Sequence, residues 1–187
     1  VVQEFLDQVR PTMVWDLGAN VGLFSRLSSE RGILTIALDA DPAAVEKNYT
    51  QCLRSGEKHL LPLLQDFSNS SAALGWANEE RLSLEQRGPA DAALALALVH
   101  HLAIGNNVPL PRLADWLARL CKHLLVEFVP KEDSQVQRLL QSREDVFPDY
   151  HQAAFEKAFS EQFRIAASAR IQDSQRIMYS MQRRAAP

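Results

Sequence analysis

The sequence predicts an α/β fold, an open and mostly parallel sheet with helices on both faces. Three observations carry that expectation. Short apolar runs alternate with helix-length amphipathic segments five times between Thr12 and Leu140, the order of successive strand–helix units. The first run passes through an acid into Gly18-Ala19-Asn20-Val21-Gly22, a tight loop opening a helix, where nucleotide-like ligands sit in α/β sheets. Finally the period changes. Phe163, Ile165, Ala167, Ala169 and Ile171 alternate with mostly polar neighbours, and Ile177, Tyr179 and Met181 do so again after Asp173-Ser174, which reads as an antiparallel hairpin.

Taken in order, apolar residues at 1, 2, 5, 6 and 9 form a helical stripe that Pro11 stops. Thr12 to Leu17 is a buried strand. Leu23, Phe24 and Leu27 give the core face of the next helix, with Gly32 as its C′ terminator. Ile33 to Leu38 is the second strand, ending at Asp39, and Asp41-Pro42 supplies an N-cap acid and a first-turn proline. Val45, Tyr49, Cys52 and Leu53 should face the core before Gly56 ends that helix. His59 to Gln65 is a strand containing Pro62, and a proline cannot donate to a ladder, so this strand belongs at a sheet edge.

Ser68 to Gly88 is a polar loop with a helix. Ala92 to Val99 is continuously apolar. Its Ala and Leu content would also suit a helix, but parallel strands covered on both faces lose the period of two, so a central strand is expected. Arg112 to Leu120 is a helix with Leu113, Trp116, Leu117 and Leu120 on one face, and Leu124 to Val129 is the fifth strand. Val136, Leu139 and Leu140 mark a further helix, Phe155 and Phe159 another, and Arg183 to Pro187 a frayed tail.

At 187 residues the chain is most simply one domain with a sizeable core. A net charge of −3 gives no overall basic field for nucleic acid. No apolar run approaches the ~20 residues of a membrane span. The start carries acids and no basic segment of a signal peptide. Cys52 and Cys121 form no CxxC pair and read as buried free thiols, which fits a reducing cytoplasm. His59, His123 and His151 show no metal-ligand spacing, so no metal site is expected.

Glycine at 18 and 22 with Asn20 between them misses the G-x-G-x-x-G of dinucleotide sites. Asn tolerates a left-handed backbone better than other non-glycine residues, so Asn20 suits the loop. S-adenosylmethionine has no phosphates to cradle. Its carboxylate could accept the amides of Gly18, Ala19, Asn20 and Gly22, and its cationic amine and sulfonium favour Asp16. Asp39, at the end of the second strand and followed by Ala40, can accept both ribose hydroxyls; Asp41 already serves as the N-cap. Asp66, with Phe67, could meet adenine, although Asp before Ser-Asn-Ser is equally turn chemistry. His100 and His101 follow the fourth strand, where one could deprotonate a nucleophile or merely cap the strand. Glu127, an acid within an apolar strand, should be paired or functional.

These residues resemble the class I S-adenosylmethionine-dependent methyltransferases over nearly the whole chain. Val14 to Gly22 resembles the family's first motif, Ile36-Ala37-Leu38-Asp39 its second-strand acid, and Gln65-Asp66-Phe67 its adenine-side position. Ala90 to Leu102 resembles its fourth-strand segment, with Ala95 and Leu96 on the cofactor side. Ala103 to Leu110 and Val126 to Asp133 are similar to a bacterial group of nodulation-protein-related methyltransferases. The resemblance implies one Rossmann-like domain over residues 1–187, a seven-stranded sheet with the last strand antiparallel, and room for an upstream region because the chain starts at Val1. It also implies S-adenosyl-L-methionine as cofactor and His100, His101 or Glu127 facing the acceptor. No Asn-Pro-Pro-Tyr-like segment follows the fourth strand, so a small-molecule acceptor is expected rather than nucleic acid. The oligomeric state is not written in the sequence. Two alternatives stand beside this reading: a methyltransferase-like binding or assembly module without activity, and a nucleotide-cofactor oxidoreductase, which the glycine spacing and the hairpin disfavour.

Overall fold

The structure, a computed structural model, describes residues 1–141 and 143–185. Seven strands form one sheet: β1 (Met13–Leu17), β2 (Leu34–Asp39), β3 (Leu60–Leu64), β4 (Ala90–Ala95), β5 (Cys121–Phe128), β6 (Phe163–Arg170) and β7 (Ile177–Arg183). Their order is β3-β2-β1-β4-β5-β7-β6. The first five run parallel, and β7 is antiparallel to both β5 and β6. The sequence order reverses between β1 and β4, the switch point where ligands bind at the carboxyl ends of open sheets. β3 lies at the edge with Pro62 within it, and β4 lies near the centre, as expected.

Helices α1 (Val2–Val9), α2 (Leu23–Ser29) and α3 (Pro42–Ser55) belong to one face. There Val2, Phe5 and Leu6 pack with Val14, Leu94 and Leu125, and Cys52 packs with Ala37 and Leu60. The other face receives α4 (Leu84–Arg87), α5 (Leu110–Leu120), α6 (Ser134–Leu140) and α7 (Gln152–Gln162). This is the main core, with Trp15, Leu17, Leu117, Leu124, Phe128, Phe155 and Phe159. Asp41 caps α3 by accepting the Ala43 N–H at 2.9 Å, and both cysteines are buried free thiols.

Four expectations need correction. The buried face of α2 is Ser25, Ser28 and Ser29, whereas Leu23 and Phe24 are exposed. Ser25 and Ser28 bury because their hydroxyls find partners close by, Asp16 for Ser25 and Thr35 for Ser28. On α3 the inward stripe is Ala44, Asn48 and Cys52, and Tyr49 and Leu53 are exposed. β4 ends at Ala95, not Val99: Ala97 takes a left-handed backbone, and the chain then enters a wide turn, His101–Gly105, in which Asn106 N–H reaches the His101 carbonyl. Arg183 is the last residue of β7 rather than part of a tail; Ala186 and Pro187 lie outside the described residues.

Candidate functional site

One cavity of about 1070 Å³ opens at the carboxyl ends of the strands beside the switch point. One part of its wall is Asp16, Gly18 to Val21, Asp39, Ala40, Asp66, Phe67 and Leu96 to Leu98. The other is His101, Leu102, Asn106, Glu127, Ile171, Arg176 and Met178, with Leu23, Phe24 and the start of α1 at the side.

The glycine loop is shaped by its own backbone hydrogen bonds. Gly18 and Gly22 have φ of 81° and 79°, a region that disfavours a Cβ, and Asn20, a residue type that tolerates this region, holds φ 49°. At Gly22 a Cβ would also meet the Asn48 amide at 2.5 Å. Gly18 and Ala19 N–H both donate to the Leu38 carbonyl, at 2.8 and 3.0 Å, and Gly22 N–H donates to Ala19. Asn20 N–H donates to Asp39 Oδ2 at 2.7 Å, and Val21 N–H to the Asn20 side chain. Each amide from Gly18 to Gly22 therefore has an internal acceptor. The loop presents a fixed surface rather than a row of free donors, unlike the carboxylate cradle the sequence invites. Gly22 itself does not reach the cavity wall.

Asp39 holds this loop and keeps capacity for a ligand. Its Oδ2 accepts Asn20 N–H and its Oδ1 accepts Asp41 N–H at 2.9 Å. A carboxylate offers about four lone-pair sites, so two remain for a diol. Asp16 is 2% exposed and accepts the Ser25 hydroxyl at 2.6 Å. Burial pushes its carboxyl up to about 6, with Asp39's charge adding to the rise and the Ser25 hydrogen bond opposing it. Such an acid binds a cation with a gain that water would not offer. Asp66 Oδ1 accepts both the N–H and the hydroxyl of Ser68, at 2.8 and 2.7 Å, which keeps its carboxyl below the ordinary range. It is thus a turn-former that also borders the cavity, and Phe67 beside it packs edge-on against Trp116.

The histidines part company. His101 lines the cavity; His100 is 1% exposed and lies behind it, the two rings 4.2 Å apart. Burial lowers the pKa of both, and the charges of His101 and Arg176 help take His100 down to about 4. Both imidazoles are neutral at pH 7, and only His101 can meet a ligand as a base. Ala95 is fully buried beneath the wall, whereas Leu96 forms part of it. Glu127 is paired: its Oε2 accepts the Ala97 N–H at 2.7 Å and its Oε1 accepts Arg176 Nη1 at 3.2 Å. Arg176 also donates through Nε and Nη2 to Asp133, at 2.7 and 3.0 Å. Sequence reasoning missed Arg176, which lies 49 residues from Glu127 with no spacing signal to join them.

Among the described residues, no group of three His, Cys, Asp or Glu side chains gathers as a metal site, and no helix is long and apolar enough to cross a membrane.

No family model matches the chain. Over 183 residues it is 40% identical to nodulation protein NoeA of Rhizobium meliloti (strain 1021), covering 97% of this chain but 38% of that relative. Among solved structures it is similar to magnesium protoporphyrin IX methyltransferase (ChlM) from Synechocystis PCC 6803 with bound SAH, at TM-score 0.67 and 18% identity over 98% of this chain and 80% of that one. The mitomycin 7-O-methyltransferase MmcR aligns at TM-score 0.63 and 16% identity, covering 98% and 52% of the two chains. The bifunctional kinase-methyltransferase WbdD gives TM-score 0.63 and 16% identity, covering 97% and 37%. The resemblance read from the motifs holds on both counts, since the fold aligns with these methyltransferases over nearly the whole chain and the nodulation-related likeness extends equally far.

Proposed function

We propose that this chain, a domain with the class I methyltransferase fold, binds S-adenosylmethionine and transfers its methyl group to a small-molecule acceptor. The observation that carries the reading is that Asp16, Asp39 and His101 line one cavity together. The residues suit the cofactor. Asp39 retains lone pairs for the two ribose hydroxyls, Asp66 and the Phe67 ring flank the adenine, and Leu96 covers it. Buried Asp16 takes the cationic amine. A volume of about 1070 Å³ leaves space beyond a cofactor for an acceptor.

When bound, S-adenosylmethionine supplies the sulfonium methyl that an acceptor displaces in line. The protein's share is positioning and exclusion of water. The rigid loop and Asp39 set where the ligand lies, and Leu98, Leu102 and Met178 keep the far end partly dry. Neutral His101 accepts a proton at its ring nitrogen if the acceptor is still protonated at working pH. Glu127, bound to the Ala97 N–H and ion-paired with Arg176, is assigned to holding the cavity wall, and the base role goes to His101. A cytoplasmic location belongs to the same proposal.

Thermal-shift measurements test the cofactor. S-adenosylmethionine and S-adenosylhomocysteine should each raise the melting temperature, by the equivalent of about 2.7 kcal/mol at a hundredfold excess over Kd, and NAD should leave it unchanged. A rise with NAD alone would make the oxidoreductase reading the better one.

A further inference from the structure

We infer that Arg176 is a positioning residue for this site, acting through Glu127 on the backbone at Ala97; the inference rests on the cofactor reading above. Ala97 has φ 49° although it is not glycine. A left-handed alanine costs energy and persists only where the surroundings hold it. What holds it is Glu127 Oε2, which accepts the Ala97 N–H at 2.7 Å. The bond is charge-assisted and lies where β4 ends, so it helps to decide where the strand breaks.

Glu127 is in turn held. It is 5% exposed, and its Oε1 is taken by Arg176 Nη1 at 3.2 Å. Arg176 cannot swing away, because Asp133, the N-cap of α6, accepts from its Nε and Nη2 with both oxygens. The chain of contacts therefore runs from the turn before β7, through β5, to the loop after β4. The residues flanking Ala97 do the work at the cavity: Leu96 and Leu98 line it beside Asp16 and Gly18, and the Leu98 carbonyl accepts the His101 N–H at 3.0 Å. Releasing Ala97 moves the wall of the cofactor site and the turn that carries His101 together. Removing the guanidinium leaves a buried carboxylate without its counter-charge, which must then take up a proton or shift. Either event weakens its hold on Ala97.

The test is calorimetric titration of the full chain with S-adenosylhomocysteine, with folding checked by circular dichroism. Arg176→Met and Glu127→Ala should each weaken binding by about tenfold, and the double variant should be no weaker than the worse single, because both cut one chain of contacts. Arg176→Lys, which keeps a cation, should recover part of the loss. The Ala97 amide proton resonance should move upfield in Arg176→Met without any ligand. Wild-type affinity in Arg176→Met, or losses that multiply in the double variant, would overturn the inference. Should Arg176→Met fail to fold, Arg176→Lys is compared with wild type by the Ala97 resonance, and an unmoved signal counts against the link. If the wild type itself binds no S-adenosylhomocysteine, the cofactor reading fails, while the amide signal still decides the Arg176–Ala97 connection.

Discussion

The two ends of the sheet are held together by different chemistry. Around α2 and α3 the buried side chains are small and polar. Ser28 bonds Thr35 and the Ser25 carbonyl at 2.8 Å each, Ser25 bonds Asp16, and Asn48 sits against Gly22. Around α7, β6 and β7 the buried side chains are aromatic. Phe155 lies 4.1 Å from Phe159, 5.1 Å from Phe128 and 5.2 Å from Tyr179, centroid to centroid. The tyrosines at the margin of this cluster find polar partners, Tyr150 on the Val129 carbonyl and Tyr179 on Glu156. Small residues let α2 come close enough to the sheet for the loop to be shaped by backbone bonds to Leu38. Aromatics fill a larger gap and carry more apolar burial. Aromatic burial is thus concentrated at one end of the sheet, and small polar packing beside the glycine loop at the other.

Deleting an aromatic ring is the largest test of that contrast. Phe155→Ala should cost about 3–5 kcal/mol in denaturant unfolding, whereas Ser28→Ala, which removes two hydrogen bonds but little apolar surface, should cost about 1 kcal/mol. Equal costs would erase the distinction. Hydrogen exchange sharpens it: S-adenosylhomocysteine should slow exchange most in residues 18–30 and least in α7, which is already protected by the aromatic core. Uniform slowing would show the two ends to be one cooperative unit.

Acid separates the ends in a different way. Cofactor affinity should fall as pH drops through about 6, by up to about tenfold per unit, as Asp16 takes up its proton and loses its hold on the ligand's cation. Asp16→Asn should bind more weakly and without that pH dependence. In the unliganded protein the signs oppose. The folded-state pKa of Asp16 is raised, so its contribution to stability is complete below the unfolded value of 3.8 and is lost as pH rises through about 6. His100 is lowered to about 4, so its contribution is present above 6.5 and is lost as pH falls towards 4. His101 and His123, also lowered, act with His100. The wild-type melting temperature should therefore fall only gently between pH 6.5 and 4. Asp16→Asn should fall more steeply because the opposing group is gone. This is the smallest of the expected effects.

The same contrast explains what could be read from the residues alone. The strands, the edge position of β3 and the closing hairpin follow from local cues: apolar runs, Pro62 and a change of period. Asp16, Asp39 and the Gly18–Gly22 loop are legible because strand, loop and acid are close in sequence and each has a distinct residue type. The inward faces of α2 and α3 were not legible. Hydrophobic periodicity points to Leu23, Phe24, Tyr49 and Leu53, whereas the sheet takes the serines, alanine, asparagine and cysteine that let the helices approach, and Leu23 and Phe24 go to the cavity. The end of β4 was also hidden. Nothing in a run from Ala92 to Val99 marks a break at Ala95, because the partner that fixes Ala97 is Glu127, 30 residues on. Arg176 was invisible for the same reason, its partners being brought to it only by the pairing of β7 with β5.

The central claim is that Asp39 anchors a nucleoside-type methyl donor at the switch point of the sheet. Titration calorimetry at pH 7.5 on the wild type and Asp39→Ala addresses it directly. The expected result is one saturable S-adenosylhomocysteine site in the wild type, weakened by about 10–100-fold in Asp39→Ala as charge-assisted hydrogen bonds are lost. No heat of binding in the wild type, or undiminished affinity in Asp39→Ala, would contradict it.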